Sequence, residues 1–127
     1  MAHKGRSLMA KPVELDIPGA LRRVGGDREL LARVIDFVVE DSPQLMQKIV
    51  SALDAERFRE VERAAHSLNG LVSNVHCIAV QEKVLEVEDL ARRGDREQIV
   101  HVLEPLGELI DRMMAKLDDA RRELVSH

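Results

Sequence analysis

One histidine stands apart from the apolar pattern around it. Phe58, Val61, Ala65, Leu68 and Val72 recur at intervals of three and four. On a helix turning about 100° per residue this gathers them into a single stripe that must face a core. His66 falls outside that stripe. Its neighbours on the wheel are Arg59, Glu62 and Arg63 towards the N-terminus and Asn69, Gly70 and Ser73 towards the C-terminus. A lone helical histidine is most often an ordinary surface or core residue, but this one sits on a polar face with small residues cleared beside it. No Ser or Cys faces it, no second His lies one turn away, and no Glu stands at ligand spacing, so a triad or a metal centre fits poorly. Nucleophilic chemistry fits better: exposed imidazoles, with an ordinary pKa of about 6.5, are largely neutral near pH 7. A glycine one turn on leaves a bulky partner room to approach.

The rest of the chain reads as scaffold for that face. Met1 to Leu15 is polar, contains Gly5 and Pro12 and shows no periodicity, so residues 1–15 are expected to form a flexible arm and residues 16–127 the domain. Asp16 can cap a short helix opening near Ile17-Pro18 and ending at Gly25-Gly26. Asp27 caps a long helix with Leu30, Leu31, Val34, Phe37, Val38, Leu45, Ile49, Ala52 and Leu53 on its inner side. Pro43 predicts a kink near Asp41-Ser42 or two abutting helices. The third helix is expected from about Ala55 to about Ser73, ending around Asn74 and His76. A fourth carries Val80, Val84, Val87 and Ala91 and stops at Gly94. The fifth opens at Asp95 with Ile99, Val102, Leu106, Leu109, Met113, Leu117 and Leu124 inward, and Pro105 predicts a second kink. No strand or hairpin signal is present. The fold class is therefore all-α: an antiparallel four-helix bundle with a short additional N-terminal helix.

Composition narrows the partners. A chain of 127 residues with net charge −4 is one domain. Its basic and acidic residues are interleaved, and Phe37 and Phe58 are its only aromatic side chains, so it lacks both the basic patch and the stacking platforms of a nucleic-acid binder. Cys77 is alone, which favours a reducing compartment. No apolar run approaches the length of a membrane span, and the N-terminus has no signal-peptide pattern. A cytoplasmic monomer is expected.

Taken together, Ala65-His66-Ser67-Leu68-x-Gly70, Asn74, Val80, Val84, Val87-Glu88 and Ala91-Arg92-Arg93-Gly94-Asp95 resemble the histidine-containing phosphotransfer (HPt) domain family of multistep phosphorelays. The likeness extends back through Leu21-x-x-Val24-Gly25-Gly26-Asp27 and runs from about Asp16 to about Leu117. It implies a helical bundle whose exposed histidine exchanges a phosphoryl group with receiver-domain aspartates or takes one from a sensor histidine kinase. It implies no ATP site, no kinase activity and no cofactor or metal of its own, with magnesium supplied by the response-regulator receiver. Carried over, His66 is the phosphoacceptor, Gly70 keeps its approach open, Glu88 lies close to the imidazole and Arg92 contacts phosphate. Glu88 has a physical reason as well, since a carboxylate accepting one imidazole N–H leaves the other nitrogen free to attack. Ile17, Leu21 and Val24 are candidate docking residues. Asn69 departs from the family's usual lysine, and His76 and Cys77 from its glycine and alanine; Arg63, with Arg59, is placed to supply the missing positive charge. Two other readings stand beside this one. The first is an HPt-like helical adaptor that binds receiver or kinase domains without being phosphorylated; the second is a metal site drawn from His66, His76, Cys77 and His101.

Overall fold

The computed structural model describes residues 12–126, and the expected arm over residues 1–11 lies outside the described residues. Five helices follow one another: α1 (Ile17–Arg23), α2 (Arg28–Asp54), α3 (Phe58–Ser73), α4 (Ile78–Arg92) and α5 (Arg96–Val125). No strand occurs among the described residues. The long helices pack as a ring, α2 on α3, α3 on α4, α4 on α5 and α5 back on α2. Cross-helix pairs show the antiparallel sense: His66 meets Glu88 while Glu62 meets Arg92, and Arg28 meets Leu124 while Asp36 meets Arg121.

Most boundaries fall where capping chemistry puts them. The carboxylates of Asp16, Asp27 and Asp95 accept from Gly19 N, Leu30 N and Gln98 N and so satisfy orphan amides at the starts of α1, α2 and α5. Beside the Asp27 cap, Arg28 donates from Nε to Leu124 O at 3.1 Å and from Nη2 to Glu123 O at 2.8 Å, tying the end of α5 to the start of α2. The turn between α2 and α3 was not legible. Glu56 adopts φ 56°, so α3 starts at Phe58 rather than near Ala55. The left-handed conformation ordinarily signalled by Gly or Asn is here occupied by a glutamate. His76 likewise adopts φ 55°, between α3 and α4; a position with that backbone favours glycine.

Two further expectations, for Phe37 and for residues 12–15, are corrected, and a third is narrowed: Pro43 and Pro105 each lie inside an unbroken helix, of 27 and 30 residues respectively, so α2 is not two abutting helices. Packing along the whole length of each helix offsets the backbone bond a proline removes. Phe37 points outward and is 60% exposed. The buried stripe of α2 runs through Leu31, Ile35, Val38, Ser42 and Ile49, and Phe37 lies roughly 120° from its centre. Finally, Val13 is buried in the core and Asp16 N donates to Val75 O at 3.0 Å, so residues 12–15 belong to the folded body rather than to an arm.

A two-point ion pair on the charged surface links the start of α2 to the end of α5. Arg121 donates from Nε to Asp36 Oδ1 at 2.6 Å and from Nη2 to Oδ2 at 3.0 Å. These hydrogen bonds hold the Asp36 carboxyl below the usual carboxylate range. A carboxyl whose pKa is depressed by folding stabilises the native state above its unfolded pKa, about 3.9 for Asp, and loses that contribution as pH falls through the folded value. Asp36→Asn is therefore expected to lower the midpoint of thermal unfolding by a few degrees at most at pH 7. The gap between the two proteins should close as melts are repeated at pH values falling below about 4.

Candidate functional site

The rotation of α3 about its axis is set by its buried face. Val61, Ala65, Leu68 and Val72 are fully enclosed, and truncating a buried leucine such as Leu68 to alanine would cost about 2–5 kcal/mol. With that face held, His66 must project outward one step beyond Ala65. Its side chain is 79% exposed, whereas that of Glu88, which it meets across the α3–α4 interface, is 7% exposed. Glu88 is buried because it lies on the flank of the α4 stripe formed by Val80, Val84, Val87 and Ala91, turned towards α3.

The contact between them is directional. His66 Nδ1 lies 3.3 Å from Glu88 Oε2. A carboxylate has no proton to donate, so in the neutral ring this contact favours the tautomer in which Nδ1–H donates and Nε2 carries the lone pair. Arg92 holds the other carboxylate oxygen, with Nη2 3.4 Å from Glu88 Oε1. The buried carboxylate is thus bonded on both sides, which a buried charge requires. Asp89, next on α4, hydrogen-bonds Arg93, and that contact holds its carboxyl below the usual range.

His66 lies in a shallow surface depression of about 760 Å³ lined also by Arg59, Glu62, Arg63, Ser67, Glu88 and Arg92. The structure therefore brings together His66, Glu88, Arg63 and Arg92 as the sequence suggested. Arg59 and Arg63 make no ion pair among the described residues, while Arg92 is tied to Glu62, Glu88 and Asp89. Gly70 is exposed one turn from His66, and a Cβ added there would meet nothing within 4 Å. Its backbone needs no glycine either, since Gly70 is not among the glycines with positive φ. Asn69 is placed differently. It lies nearer the buried stripe than His66 does, half-buried, with its Oδ1 enclosed and without a hydrogen-bond partner. Ile17, Leu21 and Val24 are half-buried against the core, so much of their apolar surface anchors α1. In the sequence Glu62 is only a wheel neighbour of His66. The antiparallel register that pairs 66 with 88 also pairs 62 with 92, four residues back on one helix and four on along the other.

The metal alternative finds no support in this geometry. Among the described residues no three His, Cys, Asp or Glu side chains converge. Cys77 is buried at the start of α4, and burial pushes its thiol above the usual range, which leaves it unreactive.

A family model for the Hpt domain matches residues 33–120, which includes His66, Glu88 and Arg92. The chain belongs to the Hpt domain family. Hpt domains act in histidine phosphotransfer within phosphorelays, where their partners are kinases and receiver domains. The fold agrees with that of a solved relative, the crystal structure of histidine-containing phosphotransfer protein B (HptB) from Pseudomonas aeruginosa PAO1. The TM-score is 0.79 and the identity 21%, over 86% of this chain and 95% of that one. Among curated proteins, no sequence matches this Hpt domain. Among the described residues no helix is long and apolar enough to cross a membrane.

Proposed function

We propose that His66 of this Hpt domain is the phosphoacceptor, exchanging a phosphoryl group with aspartates of response-regulator receiver domains. The observation that carries this reading is the exposed imidazole bonded through Nδ1 to the buried Glu88 carboxylate. The Nε2 lone pair attacks phosphorus of an aspartyl phosphate, an N–P bond forms, the P–O bond to the aspartate breaks, and the aspartate leaves as carboxylate. Nδ1 keeps its proton, so the phosphorylated ring is a cation facing Glu88, and no base has to remove a proton during transfer. Such transfer has a loose, in-line transition state and depends on positioning and charge stabilisation. Magnesium bound by the receiver would neutralise charge on the transferring group. Arg59 and Arg63, which make no ion pair among the described residues, are the cations of the depression best placed to meet it. The sensor histidine kinase, receiver and cytoplasmic setting belong to this reading, as does a monomeric state in which the His66 face stays open.

Incubation with phosphorylated receiver domains from the same genome, followed by phosphate mapping, tests it. Acid-labile, base-stable phosphate on His66 is the expected result; receiver binding with no phosphate on the chain would support the adaptor instead.

Gly70 provides a second measurement. Neither backbone conformation nor packing requires it, so Gly70→Ala is expected to stabilise the fold by about 1 kcal/mol in chemical denaturation. Gly70→Arg should keep the helical signal yet slow phosphoryl uptake from a receiver by about tenfold or more, because a long side chain fills the partner's approach. Wild-type uptake in Gly70→Arg would remove access as the reason for the glycine.

A further inference from the structure

Arg92 is more heavily engaged than a cation waiting for phosphate would be. Its Nε donates to Glu62 Oε2 at 2.8 Å, its Nη2 reaches Glu88 Oε1 at 3.4 Å and its Nη1 reaches Asp89 Oδ1 at 3.5 Å. The shortest of these bonds goes to Glu62, a residue on the histidine's own helix one turn before it. Side chains four apart on a helix stand about 5–6 Å from one another at Cβ, so the Glu62 carboxylate and the His66 ring border the same depression. A phosphoryl group on a protein carries nearly two negative charges and three acceptor oxygens. Placed on His66, it would be repelled by Glu62 and would compete with Glu62 for Arg92.

We propose that Glu62 is a positioning residue that sets the energy of the phosphorylated state. It holds Arg92 in the resting protein and releases it to the phosphoryl group. Phosphorylation therefore breaks the Glu62–Arg92 bond and leaves an anion beside an anion. Both effects raise the energy of phosphohistidine and favour handing the group on. Glu88 also holds Arg92, by the longer contact, but it bonds the ring nitrogen opposite the one that takes the phosphoryl group and so does not stand beside that group. Arg59 and Arg63 line the same depression and have no carboxylate to give up among the described residues, so they attract phosphate whether or not Glu62 is charged. This inference rests on His66 being the phosphoacceptor.

The test needs no receiver. Monophosphoimidazole exchanges its phosphoryl group with an accessible histidine: one N–P bond breaks as another forms, and each ring keeps its distal N–H. The equilibrium constant for this exchange can be read by phosphorus NMR on the full chain at neutral pH, together with the Arg92 Nε–H resonance. Glu62→Gln is expected to shift the equilibrium about five- to tenfold towards phosphorylated His66. In an Arg92→Ala background the same substitution should act clearly less, by about threefold or under, because only the direct repulsion between Glu62 and the phosphoryl group remains, and phosphorylation of the wild type should move the Arg92 Nε–H signal. An equilibrium in Glu62→Gln within twofold of wild type overturns the proposal. So does a Glu62→Gln effect undiminished by Arg92→Ala, which would make Glu62 a bare charge acting without Arg92. Failure of the underlying reading looks different: no phosphohistidine signal in the wild type, or one that persists in His66→Gln, would overturn both.

Discussion

His66→Gln is expected to abolish phosphate acceptance while leaving the far-ultraviolet helical signal and the unfolding midpoint essentially unchanged. The side chain is mostly in solvent and contributes nothing to the α3 stripe that packs against the core, and surface substitutions of this kind usually fall within about 0.5 kcal/mol. Glutamine can still approach Glu88, donating from its amide, so even the polar contact has a substitute. What it lacks is a ring nitrogen lone pair, and without one no N–P bond forms. Phosphate mapping after incubation with a phosphorylated receiver should show at least a thousandfold loss, on the scale of about 4 kcal/mol of barrier. Undiminished acceptance would place the site elsewhere, with exposed His76 and His101 next in line.

The second large effect is expected at Glu88. Glu88→Leu should reduce the rate of phosphoryl uptake by about 10–100-fold, the usual worth of a carboxylate that orients an imidazole. Leucine fits a position flanking the Val84–Val87–Ala91 stripe, so the bundle should still fold. With no acceptor for Nδ1–H, however, the proton is free to reside on either nitrogen and the ring to turn. Nitrogen NMR of the imidazole separates this from a loss of structure: the Nδ1–H tautomer should dominate in the wild type and give way to a mixture in Glu88→Leu. Glu88→Gln supplies the control, because its amide oxygen still accepts from Nδ1–H and should restore most of the rate. A Leu variant as fast as wild type would mean that the tautomer does not limit transfer.

Much of this architecture was legible from local rules. Three-and-four spacing marked Val61, Ala65, Leu68 and Val72 on α3 and Val80, Val84, Val87 and Ala91 on α4 as buried, though it left out Ala64 and Ala79, and Asp16, Asp27 and Asp95 announced helix starts because a carboxylate satisfies amides that nothing else in the helix can reach. The outward position of His66 followed from geometry alone: one residue beyond Ala65 is 100° away from the core. Other features depend on neighbours distant in the chain. Pro43 and Pro105 ordinarily break helices, yet each is carried inside one because the surrounding turns are clamped by packing on adjacent helices. Phe37 is the more hydrophobic choice for an inner position, but the rotation of α2 is decided by Leu31, Ile35, Val38 and Ile49 together, and their majority turns it outward.

The same division runs through the site. The sequence by itself determined that His66 stands on an open polar face, since that depends on one helix. It also determined that Glu88 and Arg92 share a helix and a face. Only the tertiary structure decided what those two side chains do, because their partners lie on α3 and the register between antiparallel helices is set by core packing rather than by either helix alone. That register carries Glu88 to His66 and also carries Glu62 to Arg92. A basic residue that reads as available in the sequence is thereby occupied, while Arg59 and Arg63 have no ion-pair partner among the described residues, since charges spread around a wheel pair only after a neighbouring helix selects which of them can meet.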